Sequence, residues 1–162
     1  MIFEEKKITL KNGITALLKT PEIQDAEQLL SCIKTSSGET NFLSRYPEDW
    51  EGFTVEDEEK WISDNRNSNN NLIIACYIDG KVVGSCDVTF FSDTKTSHRA
   101  GLGIAITKKY WNMGIGSAMF SELIKIAKEH KGTEIVELEF LQGNDRGRAL
   151  YEKFGFEVVA VK

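Results

Sequence analysis

Apolar positions along this chain recur at two periods, and the changes from one to the other predict its elements. Residues 72–78 form an unbroken apolar run, Asp79-Gly80 supplies a turn, and the pattern resumes from Lys81 to Phe91 and again from Ala100 to Thr107. Three such runs predict a strand meander. In the third, Leu102, Ile104 and Ile106 alternate with small residues. The period then lengthens. Met119, Phe120, Leu123, Ile124 and Ala127 recur at helical spacing, so a helix is expected from near Gly116 to about Lys131-Gly132. Upstream, residues 6–18 read as a hairpin about Asn12-Gly13. Pro21 is expected to open a helix with Ile23, Ala26, Leu29, Leu30 and Ile33 on one stripe. Thr54-Val55-Glu56-Asp57 has the form of a capping box and starts a second helix through Trp61 and Ile62. Downstream come a strand from Thr133 through Phe140, a helix carrying Leu150, Tyr151 and Phe154 that Gly155 ends, and a last strand from Phe156. Two helices ahead of a mostly antiparallel sheet, with helices crossing between the later strands, make an α+β (mixed α/β) chain.

The junction between the third run and the long helix reads Gly114-Ile115-Gly116-Ser117-Ala118. A strand, a glycine turn and a helix in that order point bare amides at whatever lies beyond. The first helical amides have no partner within the helix, and the dipole makes that end positive. Glycine at 114 and 116 puts no side chain between those amides and an anion. A pyrophosphate site follows as one reading. The other is that the glycines merely turn the chain. Neither G-x-x-x-x-G-K-[ST] nor G-x-G-x-x-G occurs, although a phosphate site for another nucleotide stays open.

About thirty residues downstream, the segment from Glu137 to Phe156 contains Asn144, Gly147, Leu150, Tyr151, Gly155 and Phe156. In that order they resemble N-x-x-A-x-x-L-Y-x-x-x-G-F, the closing motif of the GNAT superfamily of acyl-CoA-dependent N-acyltransferases. The family's pyrophosphate turn, Q/R-x-x-G-x-G/A, is similar to Trp111-Asn112-Met113-Gly114-Ile115-Gly116. The resemblance covers residues 102–156 specifically and the first half only in general. It implies a central, mostly antiparallel twisted sheet whose splayed middle strands admit a pantetheine arm, hydrogen-bonded by the backbone of Ile104, Ala105 and Ile106. It implies acetyl-CoA as acyl donor, with Trp111, Asn112, Met113, Gly114, Ile115, Gly116, Ser117 and Asn144 around it. Trp111 stands where glutamine or arginine is common, so the amides of residues 113–117 are expected to carry more of the anion. Gly101 stands where many members have a glutamate, so a base from that strand is not expected. Gly147 replaces an alanine at a cost of roughly 1 kcal/mol in a helix.

Asn144 and Tyr151 lie seven positions apart, nearly two helical turns, and are expected on one face. A tyrosine there is either a core residue with a wet hydroxyl or an acid. When an amine attacks a thioester, a thiolate must leave. A thiol of pKa about 8.5 accepts a proton from a phenol of about 10 without the phenol ionising beforehand. Such an acid contributes on the order of 10²–10⁴ in rate. The resemblance implies this role for Tyr151. The amine must also shed a proton, because an ammonium of pKa about 10.4 is unreactive. Glu139, on the same side of its strand as Glu137, is the candidate base, directly or through a water. It is equally the solvated face of a strand.

At 162 residues the chain is expected to form one domain, 1–162. No apolar stretch approaches the roughly 20 residues of a bilayer span, and the N-terminus lacks the order of a signal peptide. Three cysteines without metal spacing suit a reduced cytoplasm, so no metal and a cytoplasmic location are expected. A net charge of −5 argues against nucleic acid. The seven carboxylates at Glu48, Asp49, Glu51, Glu56, Asp57, Glu58 and Glu59 suggest either an acidic rim for a cationic acceptor or complements to a helix dipole. Trp50, Phe53 and Trp61 are expected in an apolar wall or the core. The expected partner is a small-molecule or peptide amine: a polyamine, an aminoglycoside-like amine, an amino acid or a protein N-terminus. No membrane partner is expected, and a homodimer stays open by resemblance. The competing class is a non-catalytic acyl-CoA-binding sensor or interaction module.

Overall fold

The computed structural model describes residues 1–43 and 45–162. Six strands form one sheet in chain order: β1 (Lys6–Thr9), β2 (Thr15–Lys19), β3 (Asn71–Ile78), β4 (Lys81–Phe90), β5 (Arg99–Ile106) and β6 (Ile135–Glu137). Neighbours pair antiparallel except β5 and β6, which run parallel. Parallel strands need a crossover, and the connection here carries α3 (Ile115–Glu129). The remaining helices are α1 (Ala26–Glu39), α2 (Val55–Asn67) and α4 (Asp145–Lys153). This is the mixed α/β arrangement that the hydrophobic pattern predicts.

The sheet buries both faces. Met119, Leu123 and Ala127 of α3 pack with Ile74, Cys86, Val88 and Phe90 on one side. On the other, Ala26, Leu29 and Cys32 of α1 and Ile62 of α2 meet Ala75, Tyr77 and Val82. Each large apolar side chain so buried stabilises the fold by roughly 1.5–3 kcal/mol. A bulge where β3 residues Cys76 and Tyr77 face Gly84 and Val82 offsets the register of β4.

Three boundaries differ from the pattern. The helix expected at Pro21 begins at Ala26, because a 3-10 turn (Ile23–Asp25) closes first. The Asp25 carboxylate accepts the Glu22 amide at 2.9 Å and the buried Tyr77 hydroxyl at 2.8 Å, which holds that turn and leaves Ile23 exposed. The strand expected through Phe140 ends at Glu137. No strand forms from Phe156: Val159 and Val161 are 95% and 82% exposed, since β-branched residues make a strand only where a neighbour supplies the ladder.

The Thr54 capping box is present: its hydroxyl accepts the Asp57 amide at 3.1 Å, and Asp57 Oδ2 accepts the Thr54 amide at 2.9 Å. One turn on, Glu58 is buried with Oε1 unpartnered among the described residues. Burial pushes its carboxyl up to about 7 from 4.5. A carboxyl whose folded pKa lies above its unfolded one destabilises the fold as pH rises from about 4.5 through about 7, with a cost that levels off near 3 kcal/mol. Replacing Glu58 with Met removes that charge. In urea unfolding, the gain from Glu58→Met is expected to be about 2–3 kcal/mol larger at pH 8 than at pH 4.5; a pH-independent difference contradicts this.

Candidate functional site

β5 pairs with β4 from Ala100 to Ile106, but with β6 only at Arg99↔Ile135, Ala100↔Val136 and Gly101↔Glu137. From residue 102 onward its other edge carries no ladder and faces a cavity of about 1290 Å³ lined by Ile104, Ala105 and Ile106 among others. The last rung is pinned by Arg99, whose Nε and Nη2 donate to Glu137 Oε2 and Oε1 at 2.9 and 2.7 Å. Beyond it the chain leaves β5, and Phe140 packs on Tyr151 with ring centroids 5.4 Å apart. The strands therefore part at the point where an aromatic contact on α4 competes with the sheet.

At the far end of the cavity β5 passes through a 3-10 turn (Lys108–Tyr110) to the glycine loop. Asn112 (φ 61°) and Gly114 (φ 93°) both adopt the left-handed conformation, which asparagine tolerates and glycine adopts freely. The helix starts one residue earlier than its pattern suggests, at Ile115, with Gly114 as N-cap. The first helical bond runs from the Ala118 amide to Gly114 O at 3.0 Å, so the amides of Ile115, Gly116 and Ser117 precede any helical partner. A Cβ on Gly116 would stand 3.4 Å from Leu150 Cδ2 and 3.5 Å from Ile106 Cδ1. Loop, β5 and α4 converge at that glycine.

Trp111 turns its indole Nε1–H back to Ile106 O at 2.8 Å, closing the end of the open edge. The Arg146 guanidinium lies 3.7 Å from the centroid of the same ring. Thus a cation from α4 stands beside the position where an arginine or glutamine side chain is missing. Two more cations flank the loop. Lys153 Nζ donates to Ser117 Oγ at 3.0 Å, and Lys11, whose amide donates to Met113 O at 3.0 Å, lies along Gly114. Sequence reasoning missed all three. Arg146 and Lys153 carried a signal, being seven apart on the tyrosine helix; Lys11 at a hairpin tip carried none.

Asn144 is the N-cap of α4 rather than a residue within it, and its Oδ1 accepts the Gly147 amide at 3.0 Å. That side chain lies so close over Gly147 that a Cβ there would meet Nδ2 at 2.6 Å, which accounts for glycine at this position. Gly155 (φ 87°) ends α4 as the sequence predicts: its amide donates to Glu152 O at 3.0 Å and that of Phe156 to Tyr151 O at 3.1 Å. Between these caps Tyr151 is held against Phe120, Phe140 and Phe156 and lines the cavity. Burial raises its phenol above the ordinary range, opposed in part by Arg146.

Glu139 lies past the end of β6, 80% exposed at the cavity rim, with its carboxylate paired to Lys162. The acidic run at 48–59 is not part of the site: none of its seven carboxylates lines the cavity, and Glu56, Asp57 and Glu58 occupy the first turn of α2, where Glu56 and Asp57 complement its dipole. Trp50, Phe53 and Trp61 also lie outside it; the Trp50 indole donates to Ser37 Oγ at 3.1 Å. A carboxylate that sequence reasoning passed over, Asp87 of β4, does line the cavity. Its signal was the polar alternation Ser85, Asp87, Thr89 inside an apolar run. No group of His, Cys, Asp and Glu among the described residues is arranged to hold a metal, and no described helix is long and apolar enough to cross a membrane.

The sequence pattern of the Acetyltransferase (GNAT) family matches residues 39–156. Over 86 residues the chain is 31% identical to the L-amino acid N-acetyltransferase AaaT of Escherichia coli (strain K12), covering 53% of this chain and 52% of that protein. The chain thus spans about half the length of the curated relative it matches. An acetyltransferase of the GNAT family from Streptococcus pneumoniae superposes with a TM-score of 0.83 at 28% identity, over 90% of this chain and 86% of that one. The PaiA N-acetyltransferase from Thermoplasma acidophilum, solved in complex with coenzyme A, shares the fold with a TM-score of 0.76 at 22% identity, over 91% and 92% of the two chains.

The cap at Asn144 yields a stability cycle. Asn144→Ala is expected to cost about 1 kcal/mol and to speed hydrogen exchange at the Gly147 amide. Gly147→Ala should gain roughly 1 kcal/mol only where Asn144 has already been replaced, because only then is the space for its Cβ free. Additive effects in urea unfolding contradict this account.

Proposed function

Since the chain belongs to the Acetyltransferase (GNAT) family, we propose that it transfers an acetyl group from acetyl-CoA to a primary amine, with residues 1–162 working as one unit. The observation that carries this reading is the opening of the sheet: an edge of β5 and the amides of Ile115, Gly116 and Ser117, all without backbone partners among the described residues, border one cavity. That combination fits an acyl-CoA. Amides at a helix N-terminus suit a diphosphate, with Arg146, Lys11 and Lys153 adding positive charge around them. An extended amide-bearing arm suits the edge at 104–106 by adding hydrogen bonds like those of a strand. When bound, the thioester supplies the activated acyl group.

The roles of the chain's own residues follow from position and chemistry. Met113, Gly114, Ile115, Gly116 and Ser117 hold the anion. Trp111 fixes the end of β5 and carries Arg146 on its face, Asn112 supplies the left-handed turn, and Asn144 sets the start of α4. Tyr151 donates a proton to the departing thiolate; burial keeps its phenol protonated, so any alkaline loss of activity owed to it lies above pH about 10. The amine gives up its proton to a carboxylate on the cavity wall; Glu139, the one the sequence singles out, stands at the exposed rim with its carboxylate paired to Lys162.

For the acceptor, the E. coli relative named as an L-amino acid N-acetyltransferase places free L-amino acids first in a trial panel, ahead of polyamines, aminoglycoside-like amines and peptide N-termini. The test is release of free thiol from acetyl-CoA across that panel. In Tyr151→Phe, turnover is expected to fall at least about tenfold while acetyl-CoA affinity measured by calorimetry changes less than about twofold. Unchanged turnover removes Tyr151 from the mechanism. Acetyl-CoA binding with no thiol released to any amine favours a module that only binds the acyl-CoA.

A further inference from the structure

Asp87 stands in the middle of β4, opposite Gly103 of β5. Cys86, Val88 and Phe90 enter the core shared with α3, so Asp87 and Thr89 alternate onto the opposite face, the one that α1 and α2 cover. Across from them β5 presents only Gly101 and Gly103. A Cβ on Gly103 would fall 2.8 Å from Asp87 Oδ1, so the carboxylate lies over that glycine, on the strand whose far edge is open. Phe91 and, from the connection after α1, Phe42 and Leu43 line the same cavity. This part of the cavity is lined by aromatic side chains, by Gly101 and Gly103, and by the Asp87 carboxylate.

That carboxylate has no hydrogen-bonding or ionic partner among the described residues, and burial alone pushes its pKa up to about 6 from 3.8. The other charged groups around it are engaged or distant. Arg99 is held by Glu137, Glu139 by Lys162, and Glu39 at the end of α1 accepts the Lys108 amide at 3.1 Å. The neighbouring Cys86 thiol points the other way and is kept protonated by burial. Lys11, Arg146 and Lys153 belong to the loop end. A half-buried carboxylate without a counter-charge destabilises the free protein, and a cation delivered by a ligand removes that penalty.

We propose that Asp87, rather than Glu139, receives the acceptor: its carboxylate pairs with the incoming primary ammonium and takes the proton the amine must lose before it attacks. The inference rests on the acetyltransferase reading and names the residue that meets its second substrate. In the step, one N–H bond of the ammonium breaks, the electron pair stays on nitrogen as the attacking lone pair, and the proton goes to an Asp87 oxygen. It leaves to water after acyl transfer. The raised pKa makes the carboxylate a better proton acceptor by about a hundredfold than an exposed aspartate, while at neutral pH it is still mostly ionised. Glu139 contributes only to the field at the rim.

The experiment compares the full chain with Asp87→Asn and Glu139→Gln, using acetyl-CoA and the amine panel above. In the unaltered protein kcat/KM is expected to rise with pH through about 6. Asp87→Asn should lose that limb and about 10²–10³-fold of the rate at pH 7, recovering as pH approaches the amine's own pKa. Glu139→Gln should stay within about threefold. Independently of turnover, the ¹³C carboxyl resonance absent from Asp87→Asn should titrate near 6 and move down when n-butylamine is added. A limb that survives in Asp87→Asn with less than threefold loss overturns the proposal. So does a carboxyl that titrates near about 4 and ignores n-butylamine, or a loss of acetyl-CoA heat in Asp87→Asn. Absence of acetyl-CoA heat in the unaltered protein sinks the acetyltransferase reading instead, and the carboxyl titration then decides for or against Asp87 as an amine site.

Discussion

The parting of β5 from β6 after the Gly101–Glu137 rung governs this molecule. Main-chain N–H and C=O groups inside a protein must find partners, and a sheet that stops pairing midway leaves a row of them unsatisfied by the fold. Two local contacts set the point of parting. Arg99 clamps Glu137 by two hydrogen bonds, fixing where pairing ends, and the aromatic cluster about Tyr151 draws Phe140 off the line of the strand. The edge of β5 is then free for a molecule that carries its own amides. The same geometry puts the N-terminus of α3 at one end of the gap, the tyrosine helix along one side and the half-buried Asp87 carboxylate on the other.

The positions that look weakest by local rules are the ones this opening needs. Gly147 costs helix stability, yet it makes room for the Asn144 cap that starts α4 in place. Gly101 and Gly103 weaken a strand, yet they keep side chains out of the space over which Asp87 lies. Trp111 removes a polar side chain from the loop, yet its indole closes β5 and its ring seats Arg146. For Gly147 the offsetting contact is local, but for Gly103 with Asp87 and Trp111 with Arg146 it comes from a residue far away in sequence.

That distance explains what could and could not be read beforehand. The β3–β4–β5 meander, the Gly155 end of α4 and the capping box of α2 follow from periodicity and turn chemistry, and they are found where the pattern puts them. The glycine turn and Tyr151 were visible because each belongs to a short motif. Ends of elements were less legible: whether 138–140 pairs with β5 depends on the competing contact with α4, and whether 156–162 forms a strand depends on a neighbour that the segment itself cannot encode. The acidic run at 48–59 left two readings open because composition gives charge and not position; none of those carboxylates lines the cavity. Asp87 was passed over for the opposite reason, since one aspartate in a strand signals nothing until its pleat face and the glycine opposite are known.

The central claim is that the open edge of β5 and the first amides of α3 form one continuous receptor for coenzyme A. Backbone ¹H–¹⁵N spectra of the full chain titrated with coenzyme A test it most directly. The account predicts that the amides of Ile115, Gly116 and Ser117 and those of residues 104–106 shift together along a single binding curve, while β1 to β3 stay fixed. A titration in which those two groups of amides stay unperturbed, or move independently of each other, contradicts it.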